Sequence, residues 1–354
     1  MDGLTLDEED VLTATAPART PMEREILAPV ELCLPNGRLN PLAVGWSRHP
    51  WHDTDRLGRG VYGWGRNKRW EYWAITTPTH IVGLTVSALD YAALHQVWVL
   101  DRATRREVDA VAIAPLGMSV TLPGTLHRGP VRARTRSLSI DVDDHVSGTR
   151  IRAATPRVRL DVLVDRPAGH EALGVVVPWT SRLFQYTVKD VARPASGTLW
   201  VDGEEFPLAA RECWAVLDHG RGRWPYSMHW NWGAASGRVG EHVIGLQLGG
   251  KWTVGTGSTE NALVVDGRIH KISEELDWRY DRSDWHVPWR IRGERVEVDF
   301  TPFFTREART QLAIVASETH QCFGHYTGWV ADDTGRQVRV DGLLGWAEDV
   351  RNRW

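Results

Sequence analysis

The chain has 354 residues, more than one hydrophobic core usually organises, so two domains are expected. Its 42 basic and 45 acidic residues are interspersed and leave a net charge of −3, which excludes the basic face that nucleic acid or an anionic membrane needs. Cys33, Cys213 and Cys322 are odd in number and far apart, so buried thiols are expected in place of a disulfide framework or a zinc or redox pair. The start, MDGLTLDEEDVLTATAPART, is acidic and polar where a secretory signal is basic and then apolar. No window approaches about 18 uninterrupted apolar residues, so no membrane span is expected and the chain reads as cytoplasmic. The 19 Trp outnumber 6 Phe and 7 Tyr. An indole is half apolar and half polar, which suits pocket walls and barrel mouths.

In chain order, the first candidate element is a short helix over Pro21–Ile26, with Thr20 as cap and Pro21 at the first helical position. Beyond it the period is two. Leu84, Val86 and Ala88 alternate with smaller or polar residues, and Val97 and Val99 fall in a similar run. Residues 158–164 (VRLDVLV) and 296–300 (VEVDF) alternate cleanly. Asp202-Gly203 and Asp266-Gly267 predict type I′ hairpins, and Asp333-Thr334-Gly335 a third tight connection. Short strands with Gly-rich turns mean an all-β sandwich or barrel.

An internal echo divides the chain. Phe184-Gln185-Tyr186-Thr187, Val201-Asp202-Gly203, Trp214-Ala215 and Arg221-Gly222-Arg223-Trp224 recur in order as Phe323-Gly324-His325-Tyr326-Thr327, Val340-Asp341-Gly342, Trp346-Ala347 and Arg351-Asn352-Arg353-Trp354. Duplication of a β-barrel unit is the expectation, with a tail and short helix over 1–27, a first barrel over 28–222 and a second over 223–354.

The densest chemistry lies in WAVLDHGRGRWPYSMHWNW, residues 214–232. Read as a strand, alternation sets Trp224, Tyr226, Met228, Trp230 and Trp232 on one face and Ser227, His229 and Asn231 on the other. His229 is the candidate acid or base, because imidazole titrates nearest neutrality. Asp218-His219 is a turn-capping or orienting pair. In GGKWTVGTGSTEN, Lys251, Trp252, Glu260 and Asn261 are candidate ligand contacts. Gly245 to Lys251 has the spacing of a phosphate loop, but Trp252 stands where Ser or Thr would bind magnesium and no helix follows. In DWRYDRSDWHVPW, residues 277–289, Tyr280 and Asp281 lie among Trp278, Trp285 and Trp289. A carboxylic acid against such walls has a raised pKa, and the ring faces can stabilise a developing cation. Asp277, Asp284 and His286 share that stretch. His49, His52, Asp53 and Asp55 can be sketched as a metal site but lack a regular element to align them, so no metal or other cofactor is expected.

Several segments together resemble the bacterial domain-of-unknown-function 2804 family: ELCLPNGRLNPLAVGWSRHP, RLFQYTVKD, LDHGRGRWPY, HWNWG, GGKWTVGTG with STENA, and the ending CFGHYTGWV to GWAED. The layout is similar, more distantly, to the superfamily of two lipocalin-like barrels that includes carotenoid 1,2-hydratase, AttH-type proteins, fungal Diels–Alderases and a ceramide carrier. That resemblance implies two lipocalin-like antiparallel β-barrels and a hydrophobic small-molecule partner. It also implies acid catalysis through a His-x-Trp and a Tyr-x-Asp pair. The nearest residues here are His229 with Trp230 or Trp232, and Tyr280 with Asp281, and neither spacing matches. The reading is a cofactor-free protein that binds a lipid, isoprenoid or polyketide-like compound. It would hydrate, isomerise or cyclise that compound through His229, Asp281 and Tyr280, with Trp224, Tyr226, Trp230, Asn231, Trp232, Lys251, Trp252, Glu260, Asn261 and Trp278 around the ligand. The alternative is a non-catalytic carrier or sensor. Oligomeric state is not legible.

Overall fold

The computed structural model describes residues 23–58, 62–312 and 315–353. Two large antiparallel sheets hold most of them. The first runs from Glu107–Pro115 through Ala92–Asp101, His80–Leu89 and Asn67–Thr76 to Trp214–Arg223. It continues through Phe184–Val201 and Val158–Asp165 into four shorter strands that end at Val120–Thr121. The second runs from Arg268–Ile272 through Asn261–Val265, His242–Gly250 and Ser227–Val239 to Leu343–Arg353. Val315–Ala331, Val296–Leu312, Trp289–Arg292 and Asp277–Arg279 complete it. Each sheet is a meander whose last long strand returns to pair with its first: Trp214–Arg223 with Asn67–Thr76, and Leu343–Arg353 with Ser227–Val239. These are the closing and opening strands of the two halves. The closing strand of the first sheet ends at Arg223 and the opening strand of the second begins at Ser227. Two lipocalin-like half-barrels arranged in this way are the expected all-β fold.

Register brings the duplication to single residues. Tyr72 pairs with Asp218 as Trp232 pairs with Glu348, and Glu71 pairs with His219 as Asn231 pairs with Asp349. Asp218-His219 of the first half therefore matches Glu348-Asp349 of the second, and Arg221 and Arg223 match Arg351 and Arg353. The other echoes hold only strand by strand. Tyr186 pairs with Arg221 whereas Tyr326 pairs with Leu343, and Trp214 faces Thr76 whereas Trp346 faces Ala234.

Alternation decides what lies where. Val158–Asp165 buries Val158, Leu160, Val162 and Val164 into the concave face of the first sheet, as the period of two predicts. Trp73, Ile140, Ile151, Tyr186 and Leu217 join them, while Trp289, Ile291, Phe300 and Tyr326 fill the second sheet. The largest aromatic cluster lies in neither barrel. Trp46, Trp98, Trp224, Trp232, Trp252 and Trp346 are buried between the two sheets, with Trp70, Trp179 and Trp230 half-buried against them. The aromatic cluster thus forms a seam between the barrels, because it is the convex faces of the two opening and closing strand pairs that meet.

Asp202 and Gly203 (φ 51° and 87°) and Asp266 and Gly267 (φ 48° and 82°) adopt the positive angles that their hairpins require. The expected helix is not found where it can be seen. Thr20–Met22 lie outside the described residues, and Glu25 makes an extended, parallel bridge to Trp46. The one helix among the described residues is the 3-10 turn Pro41–Ala43, capped by Asn40.

Trp98 spans the seam, stacked at 5.2 Å and 14° on Phe323 of the other sheet, with its indole N–H on Glu107. Trp98→Ala should cost about 3–5 kcal/mol through the cavity it leaves. Urea unfolding should show this as a lower midpoint at unchanged slope; an unmoved midpoint would mean that the seam contributes little to stability.

Candidate functional site

The strand Ser227–Val239 splits the expected site in two. Trp230 and Trp232 point into the seam, while His229 and Asn231 point to the concave side of the second sheet. Trp224 joins the seam just before the strand starts, and Tyr226 stays exposed under the Arg66 guanidinium, 5.9 Å from its ring centre.

In the seam, the duplicated carboxylates meet. The Trp70 indole N–H donates to Asp218 Oδ2 at 3.0 Å, and the matching Trp230 N–H donates to Glu348 Oε1 at 2.9 Å. Gly220 makes the first of these possible, since a Cβ there would stand 2.1 Å from the Trp70 ring. Glu260 enters from the loop after Gly250, lies over Gly249, and accepts the Trp252 N–H at 2.7 Å. One buried cation, Lys189, lies among the three carboxyls, and the half-buried Arg306 adds its charge toward Glu348. Lys189 Nζ is 3.1 Å from Asp218 and 3.6 Å from Glu260, and it lies 4.0 Å above the Trp232 ring. Thr187 donates a further bond to Asp218 at 3.2 Å.

Lys189, Asp218, Glu260 and Glu348 are all buried. Burial pushes the Glu260 carboxyl up to about 7, against the pull of Lys189, and burial likewise raises Glu348 to about 7, against the Trp230 bond and Lys189. Burial works to discharge Lys189, but Asp218 and Glu260 outweigh it and hold the ammonium more firmly than usual. Glu260 Oε2 has no hydrogen-bond partner among the described residues. The cover over this cluster is aromatic. Trp224 stacks on Trp252 at 5.7 Å and 7°, and meets Trp70, Trp179 and Trp230 edge-on at 5.6, 5.3 and 5.8 Å.

On the reverse face of the same two strands, three side chains converge on Asp349 Oδ2. His229 Nε2 lies 2.8 Å from it, Lys251 Nζ 3.1 Å, and the Tyr280 hydroxyl donates to it. Lys251 also donates to the Tyr280 oxygen, and Asn231 donates to that oxygen at 3.1 Å. Burial opposes the Asp349 charge, but the bonds from His229 and Tyr280 and the Lys251 charge hold this carboxyl well below its usual range. Burial lowers the Lys251 ammonium against the pull of Asp349. Lys251 is left-handed (φ 69°), a turn that sends its own side chain to this cluster and Trp252 to the seam.

Asp281 does not meet the expectation of an acid against aromatic walls. It is exposed, and hydrogen bonds from the side chain and backbone N–H of Ser283 lower its pKa. Asp277, Asp284 and His286 are exposed beside it. The walls belong to Tyr280 instead, stacked on Trp289 at 4.0 Å and on Trp285 at 5.9 Å. Trp278 bonds to the Gly249 carbonyl at 3.3 Å, and Asn261 is spent pinning Gly249 N and the Glu274 carbonyl. Gly245–Gly250 is strand, and His52 is buried with Nε2 donating to the Ala43 carbonyl.

Reasoning from the sequence missed Lys189, Glu348, Asp349, Trp70 and Trp179. A signal was present: DHGRGRW at 218–224 parallels EDVRNRW at 348–354, and RWEYWA at 69–74 parallels HWNWGA at 229–234. Each pair is one closing or opening strand.

TVKD, LDHGRGRW, HWNWG, KWTVGTGSTEN and GWAED all meet at these two clusters. The family described as "Domain of unknown function (DUF2804)" matches residues 23–354. The chain belongs to it. No curated protein matches. An AttH-type protein of Nitrosomonas europaea is similar in structure at a TM-score of 0.50 and 15% identity, covering 91% of this chain and 98% of that one. Kievitone hydratase from Nectria haematococca gives 0.49 and 12%, covering 84% and 93%. CghA with Sch210972 gives 0.48 and 11%, covering 82% and 88%. At such identities the likeness concerns the fold of this DUF2804 member.

Glu260 keeps its proton to a higher pH when folded than when unfolded, so folding binds protons between roughly pH 4.3 and 7 and stability is lost as pH rises through that window. Glu260→Gln removes the dependence. The melting temperature of the variant relative to wild type should therefore climb from pH 5 to pH 7 and then level off, whereas a constant difference would contradict a raised carboxyl.

Proposed function

We propose that this DUF2804 member is a cofactor-free acid–base enzyme acting on an apolar small molecule in the tryptophan seam, with Glu260 as proton donor. The observation behind this reading is a buried carboxyl, Glu260, whose Oε2 has no hydrogen-bond partner among the described residues and only Lys189 at 3.6 Å, behind five packed indoles and beside the Lys189–Asp218 ion pair. In an aqueous site a carboxyl of ordinary pKa holds too little proton at neutrality to serve as an acid; one at about 7 is matched to the task.

Glu260 gives its proton to a carbon of a C=C bond or to a carbonyl oxygen of the substrate. The cation that results is flanked by the faces of Trp224 and Trp252, whose quadrupoles favour it, and by the carboxylate that Glu260 has become. Water then adds and returns a proton to Glu260, which is hydration. Loss of a neighbouring proton to Glu260 gives isomerisation instead. Glu348 is a second acid, its Oε1 2.9 Å from the Trp230 indole nitrogen, and Lys189 is ion-paired with Asp218 at 3.1 Å. These groups take the acid role expected of His229 and Asp281; Trp224, Trp230, Trp232, Trp252 and Glu260 keep the ligand-side role read from the sequence. The half-buried Trp70, Trp179 and Trp230 are the ligand's way in.

The test uses linear polyenes and prenylated phenols as probes, with the protein in D2O and mass spectrometry of the recovered probe. Deuterium uptake by one probe class is expected, with Glu260→Gln slowing it by about 10²- to 10⁴-fold. Binding of a probe that quenches Trp fluorescence, with no deuterium uptake, would make the protein a carrier. A probe that exchanges equally well with Glu260→Gln would remove Glu260 from the mechanism.

A further inference from the structure

The duplication supplies a comparison within one molecule. Arg221 and Arg223 of the first closing strand are buried, and other segments of the chain occupy their guanidinium groups. Arg221 donates to the Pro123 carbonyl at 3.0 Å and to the Trp70 carbonyl at 2.7 Å; Arg223 donates to the Gly37 carbonyl at 2.8 Å and to Asn67 Oδ1 at 3.1 Å. In the second half the matching residues are Arg351 and Arg353, and both are exposed. No described residue plays the part of Gly37 or Pro123 there. Among the described residues, Arg351 comes no nearer to a carboxylate than 3.8 Å, at Asp349, and Arg353 makes no ion pair. The two arginines instead line an open hollow of about 470 Å³, with Ser227, Arg309, Ser317, Asn352 and one carboxylate, Glu318.

Charge points the same way. Arg351 pairs across the strands with His229, so the hollow abuts the cluster that holds Lys251. Arg282 is near enough to depress the Lys251 ammonium. Of the three carboxylates at hand, Asp349 is 1% exposed and consumed by its own partners, Glu318 lies 3.2 Å from His320 and 3.4 Å from Arg309, and Glu307 lies 3.8 Å from His320.

We propose that Arg351 and Arg353 form a binding site for a small organic polyanion, a phosphate ester or a polycarboxylate. The anion's oxygens would take the place that protein carbonyls fill in the first half. Guanidinium forks suit both chemistries, since each presents paired anionic oxygens. The site faces away from the seam and does not depend on what the seam binds.

Calorimetric titration with pyrophosphate and with citrate, at about 150 mM NaCl to screen loose association, separates the two sources. One of the probes should bind saturably at one per chain, and Arg351→Gln with Arg353→Gln should weaken it about 100-fold. Both side chains are exposed, so the double variant should fold. Arg157→Gln, which breaks an exposed pair with Asp202 on the first sheet, and Glu260→Gln, which disables the seam, should bind like wild type. The proposal is overturned if neither probe binds saturably, or if binding survives the double variant.

Discussion

Three carboxyl groups and one ammonium, buried together between two sheets, are the constraint on which the arrangement of this molecule turns. Charged groups leave water only if partners replace it. Here the replacements are indole N–H donors: Trp70 for Asp218, Trp230 for Glu348 and Trp252 for Glu260. Burial outweighs the pull of Lys189 on Glu260 and Glu348, so both carboxyls are raised to about 7. This need for half-polar partners accounts for tryptophan, which supplies a donor and a wall in one side chain, where Phe would supply only the wall.

Pseudo-symmetry explains how such a cluster arises. Two copies of one meander each place a Trp–carboxyl pair on the convex face of the opening and closing strands, and packing those faces together brings the pairs into one seam. The copies then differ where it matters. Lys189 pairs with Asp218 in the first sheet, while its counterpart opposite Glu348 is Gln321. A second lysine there would pull Glu348 back toward its ionised form. On the concave side, Glu71 and His219 are sealed, with burial lowering His219 to about 4, whereas the matching Asn231 and Asp349 join His229, Lys251 and Tyr280 at an open edge. One strand pair thus carries two chemically different faces, since successive side chains point in opposite directions.

Much of the fold was legible in the chain. A period of two, Asp-Gly turns and a repeated Arg-x-Arg ending lead to two antiparallel barrels, because strand alternation and positive-φ turns are local properties that neighbouring residues determine. Alternation also separated Trp230 and Trp232 from His229 and Asn231 correctly. The partners across each strand were not legible. Asp349 lies 120 residues from the His229 it contacts, and Asp218 lies 148 from Trp70; no spacing in the sequence relates them. Asp281 looked like a buried acid because Trp residues surround it in sequence, but those indoles point into the barrel while its own backbone turns outward.

What the sequence by itself determined is the class of fold, its duplication and the family, together with the residue types available for chemistry. Only the tertiary structure decided that the aromatic cluster lies between the barrels, that Glu260 and not Asp281 is the desolvated acid, and that the arginines of one copy are capped while those of the other are open. The physical reason is that desolvation, ion pairing and access depend on which faces are pressed together. Register and sheet packing set those contacts over separations of a hundred residues or more, beyond the reach of any local pattern.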